Sequence, residues 1–166
     1  MGHAEPQVAS ALQPYWMPFS PNKEFKAEPR MFSRAKGMYF YTPDGREVID
    51  ASAGLFCVAA GHCREEIARA VYEQLQTLDF TAQFLRAHPK AFELAERITR
   101  YTPAGMNRIF FTNSGSESVD TALKIALAYH RARGEAQRQV FISRERAYHG
   151  VGFGGVALSG LSNNRR

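Results

Sequence analysis

Cysteine is scarce in this chain: Cys57 and Cys63 are the two it holds in 166 residues. A disulfide scaffold is thereby excluded. With no apolar leader core between Met1 and Ser20, the pair fits a reducing compartment, and a cytoplasmic location is expected. A metal reading of Cys57, His62 and Cys63 falls short too, because no second pair stands at ligand spacing, so core cysteines and no metal are expected. Long apolar runs are also missing. The longest, Ala51 to Gly61, ends at Asp50 and His62, whereas about 20 apolar residues are needed to span a bilayer. Finally, the net charge of +5 is not a concentrated basic surface. Residues 1 to 130 carry 14 Lys or Arg against 14 Asp or Glu, and the excess is seven arginines scattered over 131 to 166 against Glu135 and Glu145. Spread over a helix end, a strand's flanks and a terminus, they form no basic motif with interleaved aromatics, which argues against nucleic acid. Arg131 and Arg133 fit the last turn of a helix that Gly134 stops.

What remains, 45% apolar and 22% charged residues, is the composition of a globular domain with a core. Residues 1 to 36 carry prolines at 6, 14, 18, 21 and 29 and read as an extended arm whose apolar tip, Tyr15-Trp16-Met17-Pro18-Phe19, docks on a partner surface or over a cavity. Met38 to Tyr41 and Glu47 to Asp50 flank Pro43-Asp44-Gly45 as a hairpin. Ala51 to His62 follows neither strand nor helix period and is expected to be a buried loop. Helices are expected over 64 to 78, with Ile67, Val71 and Leu75 on one face, and over about 89 to 101, with Pro89 near the first position. Phe80 to Arg86 is an aromatic connector.

The centre of the pattern is Phe110-Phe111-Thr112-Asn113-Ser114-Gly115-Ser116-Glu117-Ser118. An apolar strand breaks into small residues, and a helical face then repeats at Val119, Ala122, Leu123, Ala126, Leu127 and His130. The first N–H groups of a helix lack internal partners and sit at the positive end of its dipole, so the turn suits a phosphate. It is equally a capping box, Ser114-x-x-Glu117, which requires no ligand. A bound phosphate would favour Glu117 turned away. Val140 to Ser143 reads as the next strand, which makes residues 107 to 143 a right-handed parallel strand-helix-strand unit. Ligands bind beyond the carboxyl ends of such strands, where Tyr148-His149-Gly150 could stack a flat ring or merely pack on itself. Gly150-x-Gly152-x-x-Gly155 has the letters of a dinucleotide fingerprint, but it begins seven residues after its strand and is read as close packing or flexibility. Lys124 lies eight residues beyond Ser116, about 12 Å up the helix, with Asp120 as its expected ion-pair partner.

Taken together, Asn113 to Lys124 and Tyr148-His149-Gly150 resemble the class III aminotransferases of the fold-type I pyridoxal-phosphate enzymes. Trp16 to Phe19, Ala53 to Val58, His88 to Phe92 and Asn163 to Arg166 resemble the ω-amino acid (β-alanine):pyruvate branch. The resemblance implies an α/β fold: the arm (1–36), a hairpin and loop of a small domain (37–60), and the first part of a large, mainly parallel sheet domain (61–166), incomplete. It implies transfer of an amine from an ω-amino acid or amine to pyruvate through pyridoxal 5′-phosphate, in a homodimer or higher assembly, with no nucleic-acid or membrane partner. The family's phosphate contacts fall on Ser114, Gly115 and Ser116, its ring-stacking aromatic on Tyr148, and its pocket walls on Phe19, Phe56 and Phe84, with Phe19 and Phe84 serving a neighbouring subunit. Phe56 replaces the Trp of close relatives, which should change substrate preference.

No catalytic residue of the family falls within the chain. No lysine follows Lys124, so the Schiff-base lysine is absent, as are the family's pyridinium-pairing aspartate and carboxylate-binding arginine. The chain is therefore expected to be an inactive N-terminal portion, from a truncated gene model or a fragment. The competing expectation is a non-catalytic module that binds a phosphorylated ligand, and a dehydrogenase comes third.

Overall fold

Three short antiparallel strands, β1 (Arg34–Lys36), β2 (Tyr39–Tyr41) and β3 (Glu47–Ile49), lie in that order in the first of two units, Met1–Gln83 and Phe84–Arg166. This computed structural model describes residues 12–162. The start of the arm and the Asn163 to Arg166 part of the resemblance lie outside the described residues. β2 and β3 are the expected hairpin, and Gly45 supplies its positive φ of 89°. Phe40 sits opposite Ala35 and Val48. The rings of Phe32 and His62 pack on it, with centroids 4.6 and 4.5 Å away.

Two elements fall inside the stretch read as an extended arm. Helix α1 (Asn22–Ala27) fits between Pro21 and Pro29, and β1 joins the hairpin with the Arg34 guanidinium 3.7 Å above the Tyr41 ring. Helix α2 (Glu65–Thr77) follows as expected.

In the second unit, α3 (Pro89–Thr99) starts with Pro in its first turn, while His88 caps it by accepting from the Lys90 amide. The long helix α4 (Gly115–Ala132) ends at Arg133, and Gly134 follows with φ of 78°. Its last turn holds His130 2.9 Å from Glu135, which also pairs with Arg138. A short helix α5 (Phe153–Leu158) closes the unit.

Two expectations of strand structure are not met. Neither residues 107 to 112 nor residues 140 to 143 form a ladder, so the parallel crossover is not made among the described residues. An apolar run signals a strand covered on both faces, and that cover has to come from neighbours. Here Val140 and Ile142 are 88% and 95% exposed.

The core expectation fails for the same reason. No apolar side chain is buried among the described residues, and the buried positions are Gly150, Gly155 and Ser159. The loop from Ala51 to His62 is not buried, and Cys57 and Cys63 are exposed rather than in a core.

Candidate functional site

Ser114 begins α4 in extended conformation, and its Oγ accepts from the Glu117 amide at 3.1 Å. Glu117 reaches back in turn, but past Ser114: its Oε2 accepts from the Asn113 amide at 2.9 Å and from Asn113 Nδ2 at 3.2 Å. The reciprocal cap is thus made one residue upstream of the usual position. The Glu117 carboxylate thus engages Asn113 and not the first amides of the helix, and the amides of Ser114, Gly115 and Ser116 donate to no described residue. A Cβ on Gly115 would meet nothing within 4 Å. Uncommitted donors at the positive end of an 18-residue helix fit a phosphate group.

The loop carrying Tyr148 is pinned to this turn. Ser116 Oγ accepts from the Val151 amide at 3.0 Å. A hydroxyl that accepts one bond keeps its own proton to donate, so Ser116 can hold the loop and still offer a hydrogen bond to an anion. One turn later Asp120 Oδ1 accepts from the Gly155 amide at 2.9 Å. Asp120 makes no ion pair with Lys124 among the described residues, which corrects that expectation: the carboxylate is engaged by the glycine segment. Lys124 instead lines an open groove of about 500 Å³ with Leu123, Leu127, Phe141 and Leu158.

Close packing explains the glycines. A Cβ on Gly150 would stand 2.8 Å from Ser116 Cα, and one on Gly152 would stand 2.2 Å from Asp120 Oδ2. The Arg146 amide donates to the Gly160 carbonyl and the Gly160 amide donates to the Ala147 carbonyl, which closes the loop at its base. Tyr148 is 60% exposed on it. Its neighbour His149 has a buried Nε2 with no partner among the described residues.

The other candidate aromatics share a backbone signature. Phe19 and Phe56, both in the first unit, are 86% and 84% exposed and have φ of 54° and 70°. Phe84, in the second unit, is 85% exposed and precedes Leu85 with φ of 59°. Left-handed conformation is disfavoured by about 1–2 kcal/mol for each L-residue, and such outliers persist where surrounding contacts over-determine them.

Those contacts are visible. Around Phe19, the side chain of Asn22 accepts from the Met17 amide at 2.8 Å and donates to the carbonyls of Met17 and Ser20. Around Phe56, the whole stretch Ala53–Phe56 is one left-handed turn. It is held by Asp50, whose carboxylate accepts from the amides of Ser52 and Gly54 and from His62 Nε2. Burial of Asp50 acts to raise its pKa, but the His62 and amide hydrogen bonds together outweigh it and hold the carboxyl below its usual range. Asn22 and Asp50 are the positioning residues that the sequence reading missed. Spacing gave no signal for either.

The family described as aminotransferase class-III matches residues 21–166. An omega-aminotransferase of Caulobacter vibrioides is 56% identical over 157 residues, which cover 95% of this chain and 36% of the relative. The omega-amino acid–pyruvate aminotransferase of Pseudomonas putida is 43% identical over 166 residues, covering 99% of this chain and 37% of its own length. Among solved structures, the omega transaminase of Pseudomonas jessenii in complex with PMP superposes with a TM-score of 0.90 at 32% identity, covering 99% of this chain and 36% of that one. A thermostable omega-transaminase from Thermomicrobium roseum gives 0.91 at 31% identity, with 100% and 38% covered. The chain thus spans a little over a third of the length of the relatives it matches.

Proposed function

The chain belongs to the class III aminotransferase family, pyridoxal-phosphate enzymes of fold-type I and transferases of nitrogenous groups; from that premise we propose that its residues form the phosphate turn and part of the pocket wall for transamination between an ω-amino acid or amine, such as β-alanine, and pyruvate. The observation that carries this reading is the set of free amides at Ser114, Gly115 and Ser116, with Glu117 held back on Asn113. Those amides and the Ser116 proton hold the phosphate, and Tyr148, on the loop pinned to the same helix, stacks on the ring. Phe56 bounds the substrate and leaves a wider wall than Trp would, and Phe19 and Phe84 serve the pocket of a neighbouring subunit. When bound, pyridoxal phosphate supplies an electron sink for the carbon that carries the amine.

The proposal extends to the whole protein as a cytoplasmic homodimer or larger assembly, and to residues 1–36, 37–60 and 61–166 as arm, small-domain portion and large-domain portion. Among the described residues no helix is long and apolar enough to cross a membrane, and no cluster of side chains could hold a metal ion.

These 166 residues alone do not transaminate on this reading. The family's chemistry needs a lysine linked to the cofactor, and the last lysine here, Lys124, lies eight residues beyond Ser116, about 12 Å along α4 from the turn. The test is to incubate the chain with pyridoxal phosphate, β-alanine and pyruvate. Phosphate-ligand binding without alanine formation is expected, and alanine production would overturn the claim of inactivity. The alternative is a self-sufficient phosphate-binding module. A sharp, cooperative unfolding transition of a monomer would favour it, and the lack of any buried apolar side chain among the described residues argues against it.

A further inference from the structure

Asp120 has no part in the reading above, yet the glycine segment is shaped around it. Its Oδ1 accepts from the Gly155 amide at 2.9 Å. A Cβ on Gly152 would stand 2.2 Å from its Oδ2, and one on Gly154 would stand 2.9 Å from its Oδ1. No substituent larger than hydrogen fits at either position while the carboxylate stays. Four residues earlier on the same helix face, Ser116 takes the Val151 amide, and Gly150 lies against its Cα. Residues 150 to 155 are thus fixed at both ends by side chains one helical turn apart, and Tyr148 stands three residues before the first pinned amide, that of Val151.

We infer that Asp120 is a positioning residue for Tyr148. It touches neither phosphate nor ring. It fixes the glycine segment against α4, and so sets where the aromatic stands relative to the Ser114 to Ser116 amides. This rests on the reading of those amides as the phosphate turn and of Tyr148 as the ring partner.

Two ligands separate a positioning role from a merely structural one. Inorganic phosphate needs the turn alone. Pyridoxamine 5′-phosphate needs the turn and the aromatic, and it carries no aldehyde to react with surface lysines. Titration calorimetry of the 166-residue chain with each ligand is the experiment. Asp120→Ala is expected to weaken pyridoxamine 5′-phosphate about 3- to 10-fold, the scale of one lost stacking contact, and to leave inorganic phosphate within about twofold. Asp120→Asn keeps a carbonyl oxygen for the Gly155 amide and is expected to restore the affinity. Tyr148→Ala should match Asp120→Ala, and the double variant should be no weaker than either. Equal loss of both ligands in Asp120→Ala, or loss of neither, overturns the inference alone. Failure of the unsubstituted chain to bind pyridoxamine 5′-phosphate overturns the proposed function, and the inference with it.

Discussion

Asp50 and His62 meet at 2.7 Å between Oδ2 and Nε2, with 3% of the aspartate side chain exposed, and the left-handed turn bearing Phe56 hangs between them. Backbone bonds in both directions between His62 and Gly37 tie the far end of the turn to the sheet. The aromatic is therefore placed by polar contacts made around it and not by packing of its own ring.

A pH dependence follows from that clamp. The Asp50 carboxyl lies below its usual range, so its folded-state pKa is depressed relative to about 3.9 in an unfolded chain. The stabilisation is fully present above that value and is lost as pH falls through the lower, folded one. The protection factors of the Ser52 and Gly54 amides, each taken against the intrinsic exchange rate at that pH, should be high near neutrality and fall in acid below about pH 4, and in Asp50→Ala they should be low at every pH. Unchanged protection in the variant would show that the turn holds without the clamp.

Glu117 is an anion beside a proposed anion site. Glu117→Gln keeps an oxygen for the Asn113 amide but removes the charge, so inorganic phosphate should bind about 2- to 5-fold more tightly at low salt, with the gain fading as salt is raised. Phosphorus-31 line widths across a titration measure this. Equal affinities would mean that phosphate does not reach the helix end.

Ser114→Ala removes the N-cap acceptor of α4 and should lower helix stability by about 1 kcal/mol. Ser118, which bonds back to the Ser114 carbonyl from within the helix, serves as a control, since Ser118→Ala leaves the cap oxygen in place. Helical circular dichroism on heating should fall earlier for the first variant than for the second.

Apolar faces without cover should behave as such. The chain is expected to enhance the fluorescence of an anilinonaphthalene dye and to unfold over a broad temperature range while helical dichroism persists at its start. A single sharp heat-absorption peak without dye binding would contradict this.

The three longer helices and the hairpin were legible because their signals are local: a 3.6-residue apolar period, Pro89 at a helix start, Gly134 at a helix end, and Pro-Asp-Gly at a turn. The cap on α4 was legible for the same reason. Residues 107 to 112 and 140 to 143 were read as paired strands and form no ladder among the described residues, because an apolar run reports the cover a strand needs and not the neighbour that provides it. β1 was missed since three residues, Arg34 to Lys36, carry no period. Phe19 and Phe56 came from family resemblance alone. Their left-handed backbone, and the Asn22 and Asp50 contacts that enforce it, leave no trace in spacing. Asp120 was seen but given the wrong partner, because the i, i+4 rule names Lys124 while the fold brings up a glycine amide from 35 residues away.

That distance also sets an order of events. The bond from Asn113 to Glu117 closes a loop four residues apart in sequence, whereas Val151 must find Ser116 across 35. Loop-closure entropy disfavours the longer search by about 2 kcal/mol more. The anion turn can therefore assemble from neighbours as soon as its helix nucleates, while the aromatic arrives only after a long segment has folded back. A nascent chain emerging in sequence order would hold the capped turn proposed to take a phosphate before the loop of Tyr148 had folded back on it.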